Sequence, residues 1–287
     1  MDYPHSELVL NTEGQVYHLG LSPGQISSNV ILVGDQDRVN LVASFFDTIE
    51  HQSQHREFVS STGMYKGKRI TALSTGIGTD NIDICINELD ALFNIDLERR
   101  ENKKEFTSMN LVRIGTCGIL QPDVPLHSYI LSTHALGLDN VAHYYEVDFR
   151  EDEIALNTTI NEQVKLPEPI RTYVTAASDN LTGKLRSELT TEGITVTSSG
   201  FYGPQGRQLR LKNRTSHLNE QLTAFESGGH RFTNFEMESS ALFSLGRSLG
   251  HECATICLGI ANRPNMEFST GYNDDMLKLI DYVLERI

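Results

Sequence analysis

Short apolar runs rich in β-branched residues alternate with amphipathic stretches along the chain. The apolar runs predict strands over 29–34, 69–76, 111–116, 127–133, 172–178, 194–200 and 252–261. Amphipathic stretches at 37–47 and 81–93 predict helices between the early strands. Apolar strands separated by helices indicate an α/β fold with a largely parallel, twisted sheet covered on both faces. The sequence KGKR at 66–69 predicts a hairpin, so the sheet is expected to be mixed.

Length and segment composition predict one domain over residues 1–287. A chain of 287 residues can bury a large core in a single α/β domain, and no linker or internal repeat divides it. The charge-dense segment ERRENKKEF at 98–106 predicts a solvated insertion before the strand that starts near residue 111.

Composition and charge narrow the classes of partner. With 39% hydrophobic and 22% charged residues, the chain has no apolar run long enough for a membrane span. The first ten residues lack the pattern of a signal peptide, so a cytoplasmic location is expected. A formal net charge of -14 argues against nucleic acid as a partner and favours a small anion. Four cysteines lie in apolar stretches without C-x-x-C spacing, which predicts buried thiols rather than disulfides or a metal site.

An arginine inside an apolar strand is the sharpest single signal. In LVRIGTCG (111–118), alternation puts Arg113 on the same face as Leu111, within a strand that should be covered on both sides. A buried guanidinium needs a carboxylate or a bound anion as its partner. Thr116, expected at the end of this strand, offers a hydroxyl to the same partner. The earlier turn GDQDRV is a weaker signal, in which Gly34 permits close approach and Arg38 lies in the first helical turn.

Two acidic residues begin a predicted helix in TNFEMESSALFSLGRSLG (233–250). Thr233 and Glu236 match a capping box, which gives Glu236 a structural role. Glu238 shares a face with a stripe of leucines, and a buried acid requires an arginine or polar hydroxyl groups as partners. A ribose diol is one such partner, because a carboxylate accepts two hydrogen bonds at once.

The stretch FYGPQGRQLR (201–210) combines turn residues with planar polar groups. Gly203, Pro204 and Gly206 predict a turn. The amide of Gln205 and the guanidinium of Arg207 suit a flat, polar ligand better than a solvated loop.

Taken in order, VYHLGL, GDQDRV, HREF, STGIG, VRIGTCG, FYGPQGR and NFEMES resemble the nucleoside phosphorylase family. The resemblance extends over roughly residues 16–265 and is greatest to the members that act on uridine. It implies a three-layer α/β/α fold with a central mixed sheet and a reaction in which phosphate displaces the base from ribose C1. Phosphate is the implied co-substrate, and a nucleoside is the second ligand.

The resemblance assigns a role to each matching residue. The implied phosphate ligands are Gly34, Arg38, Arg56, Arg113 and Thr116. The implied ribose contacts are His18, Glu236, Met237 and Glu238. The implied base contacts are Phe201, Gln205, Arg207 and Arg263. Arg113, Thr116, Glu238 and Arg207 are the implied catalytic residues.

The family pattern also implies that residues are exchanged between subunits. His18, in an N-terminal arm over 1–28, and Arg56 are expected to serve a neighbour's site, so the smallest expected unit is a homodimer and a hexamer is the larger alternative. Intersubunit potassium with Glu57 belongs to the same pattern. Thr79, Asp80 and Asn81 stand where small residues and a serine accompany that ion, which argues against it.

The residues after the late strand separate the subclasses. Asn262 and Arg263 stand where purine-specific members carry an aspartate that acts as an acid, which favours uridine. Three alternatives stay open: a purine nucleoside phosphorylase with a different acid, a nucleoside hydrolase that uses water, and a nucleoside-binding or storage protein without turnover.

Overall fold

The computed structural model describes residues 2–215 and 217–287. Fourteen strands occur in this part of the chain: β1 (Asn29–Val33), β2 (Thr48–His55), β3 (Phe58–Tyr65), β4 (Lys68–Ser74), β5 (Ile95–Asp96), β6 (Glu101–Asn102), β7 (Asn110–Ile119), β8 (Tyr129–Gly137), β9 (Tyr173–Ala176), β10 (Thr190–Thr197), β11 (Glu226–Ser227), β12 (His230–Glu236), β13 (Glu252–Asn262) and β14 (Glu267–Phe268). The α-helices are α1 (Gln36–Ala43), α2 (Thr79–Asn94), α3 (Glu151–Gln163), α4 (Asp179–Leu185), α5 (Leu218–Ala224), α6 (Ser239–Ser248) and α7 (Asn273–Leu284).

Twelve of these strands form one mixed sheet. Its main order is β11-β12-β10-β8-β13-β7-β1-β4-β3-β2, while β9 pairs with β8 and β14 pairs with β13. The pairs β4–β1, β1–β7 and β7–β13 are parallel, whereas β13 and β8 are antiparallel, as are β3 and β4. The hairpin predicted at 66–69 joins β3 to β4. The predicted mixed α/β sheet is confirmed, and each predicted strand corresponds to an observed one.

One extra pairing partly closes this sheet on itself. The end of β12 pairs with β10 on one side and with β7 on the other, where Asn234 and Phe235 lie opposite Ile119 and Gly118. The strands β7, β13, β8, β10 and β12 therefore form a ring. This closure brings the residues that follow β12 across to β7, which carries Arg113.

Helices cover both faces of the sheet, as the continuous apolar runs of its strands require. Val30 and Leu32 of β1 pack in the cluster that contains α2 and α6, whereas Ile31 and Val33 pack in the cluster that contains α1, α4 and α7. In α2 the buried side chains Ile82, Cys85, Ile86 and Leu89 follow the spacing of one helical face. The three-layer α/β/α arrangement is confirmed.

The insertion at 98–106 is only partly the solvated loop predicted from its charges. Most of its side chains are exposed, but β5 and β6 pair across it to form a small hairpin. Arg100 donates to the backbone carbonyls of Tyr3, Pro4 and Leu8. Charge density alone does not reveal this role, because the carbonyl partners lie more than 90 residues away in sequence. The insertion fastens the start of the chain to the domain.

The N-terminal arm packs on its own chain. Its side chains Leu8, Val16, Leu19, Leu21 and Ile26 are buried in the same cluster as α2. The backbone N–H groups of His18 and Leu19 donate to Glu88 of α2. In the described residues, no helix is both long and apolar enough to cross a membrane.

Candidate active site

A cavity of about 870 Å³ opens at the end of the sheet where β1, β4, β7 and β12 terminate or lead into loops. Ligands of α/β proteins collect at this end of the strands. Ten of the thirteen residues predicted for the site line the cavity: Gly34, Arg38, Arg113, Thr116, Phe201, Gln205, Arg207, Glu236, Met237 and Glu238. Most of the residues predicted for the site therefore lie together in one cavity.

One end of the cavity carries two guanidinium groups. Asp35 caps α1 by accepting a hydrogen bond from the N–H of Asp37 at 3.0 Å, which places Arg38 in the first turn of the helix. Burial lowers the pKa of Arg38, and although Asp35 raises it, the positive charge of Arg113 lowers it further. Two partly desolvated cations close enough to oppose each other form a favourable site for an anion.

Arg113 is buried between two carboxylates. Its Nη2 donates to Glu238, and its Nη1 lies 3.3 Å from Glu236 and 3.4 Å from the thiol of Cys257. Although burial opposes its charge, Glu238 and Glu236 raise the pKa of Arg113 above its ordinary value. Its Nε has no hydrogen-bond partner among residues 2–215 and 217–287. The partner that the sequence required for the Arg113 guanidinium is therefore a pair of carboxylates. The buried Nε of Arg113 is a donor without a partner in the described residues.

The strand of Arg113 is longer than predicted. β7 continues to Ile119, so Thr116 lies within the strand and not at its end. The strand extends because β13 pairs with it through Asn262, and β12 pairs with its last residues. Thr116 nonetheless lines the cavity, as predicted.

The predicted capping box at Thr233 is wrong. Thr233 lies inside β12, and α6 begins only at Ser239, because pairing with β10 and β7 holds this segment extended. Glu236 still serves the helix start, since its carboxylate accepts from the N–H groups of Glu238 and Ser239, both at 2.9 Å. Its hydrogen-bond partners therefore differ from those of a Thr-x-x-Glu box.

Glu238 sits at the N-cap position of α6 and is 3% exposed. It accepts from the N–H of Gly78 at 2.8 Å and from Arg113. Burial raises the pKa of Glu238, and the neighbouring Glu236 raises it further, while Arg113 opposes both effects. The buried acid predicted at this position is confirmed as a feature of the structure, with a positive partner.

The opposite end of the cavity is formed by the turn that follows β10. Gly203–Gln205 is one 3-10 turn, and Gly206 ends it with φ of 70°, a conformation that favours glycine. The guanidinium of Arg207 lies 3.7 Å from the centre of the Phe201 ring and donates to the Phe201 carbonyl at 2.6 Å. Arg207 also donates to Oε1 of Gln205, whose Nε2 donates to Ser198 at 2.9 Å. Burial and the nearby Arg263 lower the pKa of Arg207 to about 10.

Three predicted residues lie outside this cavity. Arg263 lines an adjoining pocket together with Phe201 and Arg207. His18 and Arg56 lie elsewhere, and they share one surface. The guanidinium of Arg56 donates to the hydroxyl of Tyr17 at 3.2 Å, and Nδ1 of His55 lies 2.8 Å from the carbonyl oxygen of His18. Arg56 occupies the turn between β2 and β3.

Several cavity residues were not among those predicted to contact phosphate, ribose or base. Ile77 and Phe268 are exposed apolar side chains at the edge of the cavity, and Glu57 and Asn81, considered only for potassium, lie beside Gly76. An exposed aromatic residue in a two-residue strand such as β14 has no periodicity that would have identified it. Within the described residues, no three His, Cys, Asp or Glu side chains are placed to hold a metal ion, and the interpretation that the chain lacks the potassium site of the family pattern stays a prediction.

The four cysteines are free and buried. Cys117 and Cys257 lie on neighbouring strands beside Arg113. A hydrogen bond from the Cys117 thiol lowers the pKa of Cys257, and Arg113 lowers it further, while burial opposes both effects. These thiols thus form part of the packing under the guanidinium of Arg113.

Comparison with known proteins decides the family. The model of the phosphorylase superfamily matches residues 29–284. The chain belongs to the phosphorylase superfamily. The predicted resemblance to nucleoside phosphorylases and the prediction of an enzyme of the pentosyltransferase class are thereby confirmed.

Individual relatives within the superfamily carry two substrate names. The uridine phosphorylase of Thermococcus kodakarensis is 29% identical over 256 residues, which cover 89% of this chain and 80% of the relative. A DeoD-type purine nucleoside phosphorylase of Brevibacillus brevis is 28% identical over 229 residues, which cover 79% of each chain. The crystal structure of a Trypanosoma brucei nucleoside phosphorylase, described as showing uridine phosphorylase activity, matches with a TM-score of 0.88 and 30% identity, covering 98% of this chain and 99% of that one.

The close packing around Arg113 leads to a prediction about Gly115. A Cβ at this position would lie 2.9 Å from Cζ of Arg113 and 2.9 Å from the sulfur of Cys257. We expect Gly115→Ala to displace the guanidinium and to destabilise this phosphorylase by about 1–3 kcal/mol, because the site is already fully packed. The measurement is thermal unfolding followed by calorimetry.

The matched control is Gly183→Ala, at an exposed position in α4 where an added Cβ meets nothing within 4 Å. That change should stabilise the helix by about 0.5–1 kcal/mol or leave stability unchanged. A Gly115→Ala protein that unfolds at the wild-type temperature would contradict the close packing described.

Proposed function

We propose that the chain catalyses the reversible phosphorolysis of uridine to uracil and ribose 1-phosphate. The observation that carries the proposal is the row of hydrogen-bonding groups formed by Gln205 and Arg207 at one end of the cavity. The relatives named for uridine support it, and the relatives named for purine nucleosides make the substrate the point to test.

Gln205 and Arg207 present their donors and acceptors in a defined order. Arg207 has only donors, so the oxygen of the Gln205 amide must face it and the amide nitrogen must face Ser198. Three groups then remain for the base, in this order. The second hydrogen on Nε2 of Gln205 is a donor, the second lone pair on Oε1 is an acceptor, and the remaining N–H groups of Arg207 are donors. The edge of uracil presents acceptor, donor and acceptor at O2, N3–H and O4, so the two rows match.

The same groups favour departure of uracil as an anion. Its negative charge develops on the carbonyl oxygens, where the guanidinium of Arg207 and the amide of Gln205 are aimed in the proposed pose. Phe201, stacked on Arg207, forms the wall beside them. Arg263, which lies in the adjoining pocket, adds a second positive charge.

Phosphate is proposed to bind at the opposite end of the cavity. Arg38 and Arg113 supply positive charge, Thr116 supplies a hydroxyl, and Gly34 permits close approach of the backbone. The buried Nε of Arg113, which has no partner in the described residues, is the proposed donor for this anion. In this arrangement an incoming dianion offsets the repulsion between the two guanidinium groups.

Ribose is proposed to lie between phosphate and base, against Met237 and Glu238. The carboxylate of Glu238 accepts the ribose hydroxyls, and its negative charge stabilises the cationic character that C1 acquires as the glycosidic bond breaks. The raised pKa of Glu238 requires that the pH stay high enough to keep this carboxylate ionised.

Asn262, the last residue of β13, argues against acid-assisted departure of a purine. Asn262 is fully buried, and its amide donates to the carbonyls of Gln121 at 3.0 Å and Val124 at 2.9 Å. Its oxygen accepts from the N–H of Asn265 at 3.1 Å. The side-chain amide of Asn262 therefore bonds to backbone groups of the neighbouring loops, and it is not directed to the N7 position of a purine.

A dimer with shared active sites is part of the proposal. His18 and Arg56 lie outside their own cavity but side by side on one surface, together with Tyr17 and His55. Two residues that act in a neighbour's site need to be adjacent on such a surface. Arg56 would complete the phosphate site of the neighbour, and His18 would reach its ribose.

A substrate panel tests the proposed reaction. With phosphate present, we expect uracil release from uridine to exceed base release from inosine and from cytidine, because cytosine presents two mismatched groups to Gln205 and Arg207. Base release is followed by chromatography, with and without phosphate. Faster cleavage of inosine would favour a purine nucleoside phosphorylase, and release without phosphate would favour a hydrolase. Uridine binding with no product in the presence of phosphate would indicate a binding protein.

Arg207→Ala tests the assignment of the base end. Loss of one donor to developing negative charge commonly costs about 2.7–4 kcal/mol of barrier, so kcat should fall about 10²–10³-fold. The affinity for phosphate, measured by titration calorimetry, should change little, because Arg207 lies at the other end of the cavity. An equal loss in both quantities would place Arg207 with the phosphate instead.

Mixed oligomers test the exchange of residues between subunits. Arg56→Ala and Glu238→Gln should each abolish most activity, but their co-expression produces mixed dimers in which one of the two sites is intact. Random mixing should restore about a quarter of wild-type activity. The control pairs Glu238→Gln with Arg207→Ala, two residues of the same cavity, and should restore none. Equal activities in the two mixtures would refute the shared site.

A further inference from the structure

Glu236 lines the cavity, but its carboxylate is already occupied by the protein. One oxygen accepts from the hydroxyl of Thr197 at 2.5 Å, and the other accepts from the N–H groups of Glu238 and Ser239. Nη1 of Arg113 lies 3.3 Å away on the same side. A carboxylate has about four lone-pair sites, so little capacity is left for a ribose hydroxyl. Its geometry is that of a group that holds Arg113 and the start of α6.

Thr197 is the side chain that fixes this carboxylate from the opposite strand. It is fully buried at the end of β10, directly opposite Glu236 in the register of β10 and β12. Its oxygen accepts from the N–H of Ser240 at 3.0 Å, so its own proton is directed to Glu236. Ser240 in turn donates to the buried carboxylate of Asp139 at 2.6 Å. The hydroxyl of Thr197 thus has one donor and one acceptor partner and no freedom to turn elsewhere.

We propose that Thr197 is a positioning residue for phosphate binding, because its hydroxyl holds Glu236 against Arg113 and so fixes the guanidinium at the phosphate end of the cavity. The proposal rests on the proposed function, in which phosphate is the co-substrate. Without the hydroxyl, Glu236 loses its hydrogen bond from β10, and its carboxylate is held only by the N–H groups of Glu238 and Ser239 and by Arg113. The carboxylate can then shift with Arg113, and the Nε of Arg113, which has no partner in the described residues, is no longer held in one direction.

The chain contains a matched control on the same pair of strands. Thr195, two residues earlier on β10, is equally buried and donates to Asn234, its neighbour on β12, at 2.9 Å. Thr195→Val therefore removes the same kind of hydroxyl from the same strand pair without touching Glu236. Any general cost of losing a buried cross-strand hydrogen bond should be common to both positions.

Four variants of the full-length protein test the proposal: Thr197→Val, Thr197→Ser, Thr195→Val and Glu236→Gln. The affinity for inorganic phosphate is measured by titration calorimetry without nucleoside, and unfolding temperature and kcat and KM for both substrates are recorded. We expect Thr197→Val to weaken phosphate binding about ten- to a hundredfold, the range of a hydrogen bond to a charged group. Thr197→Ser should bind phosphate within about threefold of wild type, and Thr195→Val within about twofold, although its unfolding temperature falls.

Several results would overturn the proposal. One is wild-type phosphate affinity in Thr197→Val, and another is a Thr197→Ser protein as defective as Thr197→Val, which would indicate a packing effect. If Thr197→Val does not fold, Glu236→Gln decides, because unchanged phosphate affinity there would mean that Glu236 does not hold Arg113. A wild-type protein that binds phosphate but leaves uridine intact would refute the proposed reaction. The phosphate affinities of the variants would then still decide the role of Thr197. A wild-type protein that binds no phosphate would overturn both.

Discussion

The buried cluster of Arg113, Glu236 and Glu238 is the interaction on which the cavity depends. Burying two carboxylates and one guanidinium is costly unless each charge has several partners, and removing one member of such a group commonly costs about 3–5 kcal/mol. Here Glu236 has three hydrogen-bond donors from Thr197 and the backbone of α6, and Glu238 has the N–H of Gly78 as well as Arg113. The side chains of Arg113, Glu236 and Glu238 therefore join the sheet to the loop after β4 and to the start of α6.

The geometry of the sheet makes this cluster feasible. β12 crosses to pair with the last residues of β7, so Glu236 and Glu238 arrive above a strand that lies far from them in sequence. The guanidinium of Arg113 then needs room over its own strand, which Gly115 supplies, and Cys257 of β13 fills the space beside it. A larger residue at 115 or an open sheet without the pairing of β12 and β7 would leave one of the three charges without a partner.

Sequence reasoning located the strands and ten of the residues that line the cavity, because both leave local signals. Short apolar runs identified β1 and β7, and an arginine at a buried position of β7 required a charged partner. It misplaced the start of α6, since Thr233 and Glu236 fit a capping box, whereas the pairing of β12 with two distant strands holds that segment extended. It also missed the role of Arg100, whose carbonyl partners are far away in sequence, and Phe268, which has no periodic signal. These errors all concern long-range pairing or short exposed segments.

The cavity divides into two parts that differ in how they are held together. At the end proposed for phosphate and ribose, the contacts join residues far apart in the chain, with Arg113 and Glu238 separated by 125 positions and Gly78 and Glu238 by 160. At the other end, Arg207 contacts Phe201 and Gln205 six and two positions away, and Gln205 contacts Ser198 seven positions away. Under the proposed function, a change of base preference would require changes mainly within one local turn, whereas a change in the groups proposed for phosphate and ribose would disturb the joined sheet. This division gives a physical reason why one superfamily contains relatives named for uridine and relatives named for purine nucleosides on the same fold.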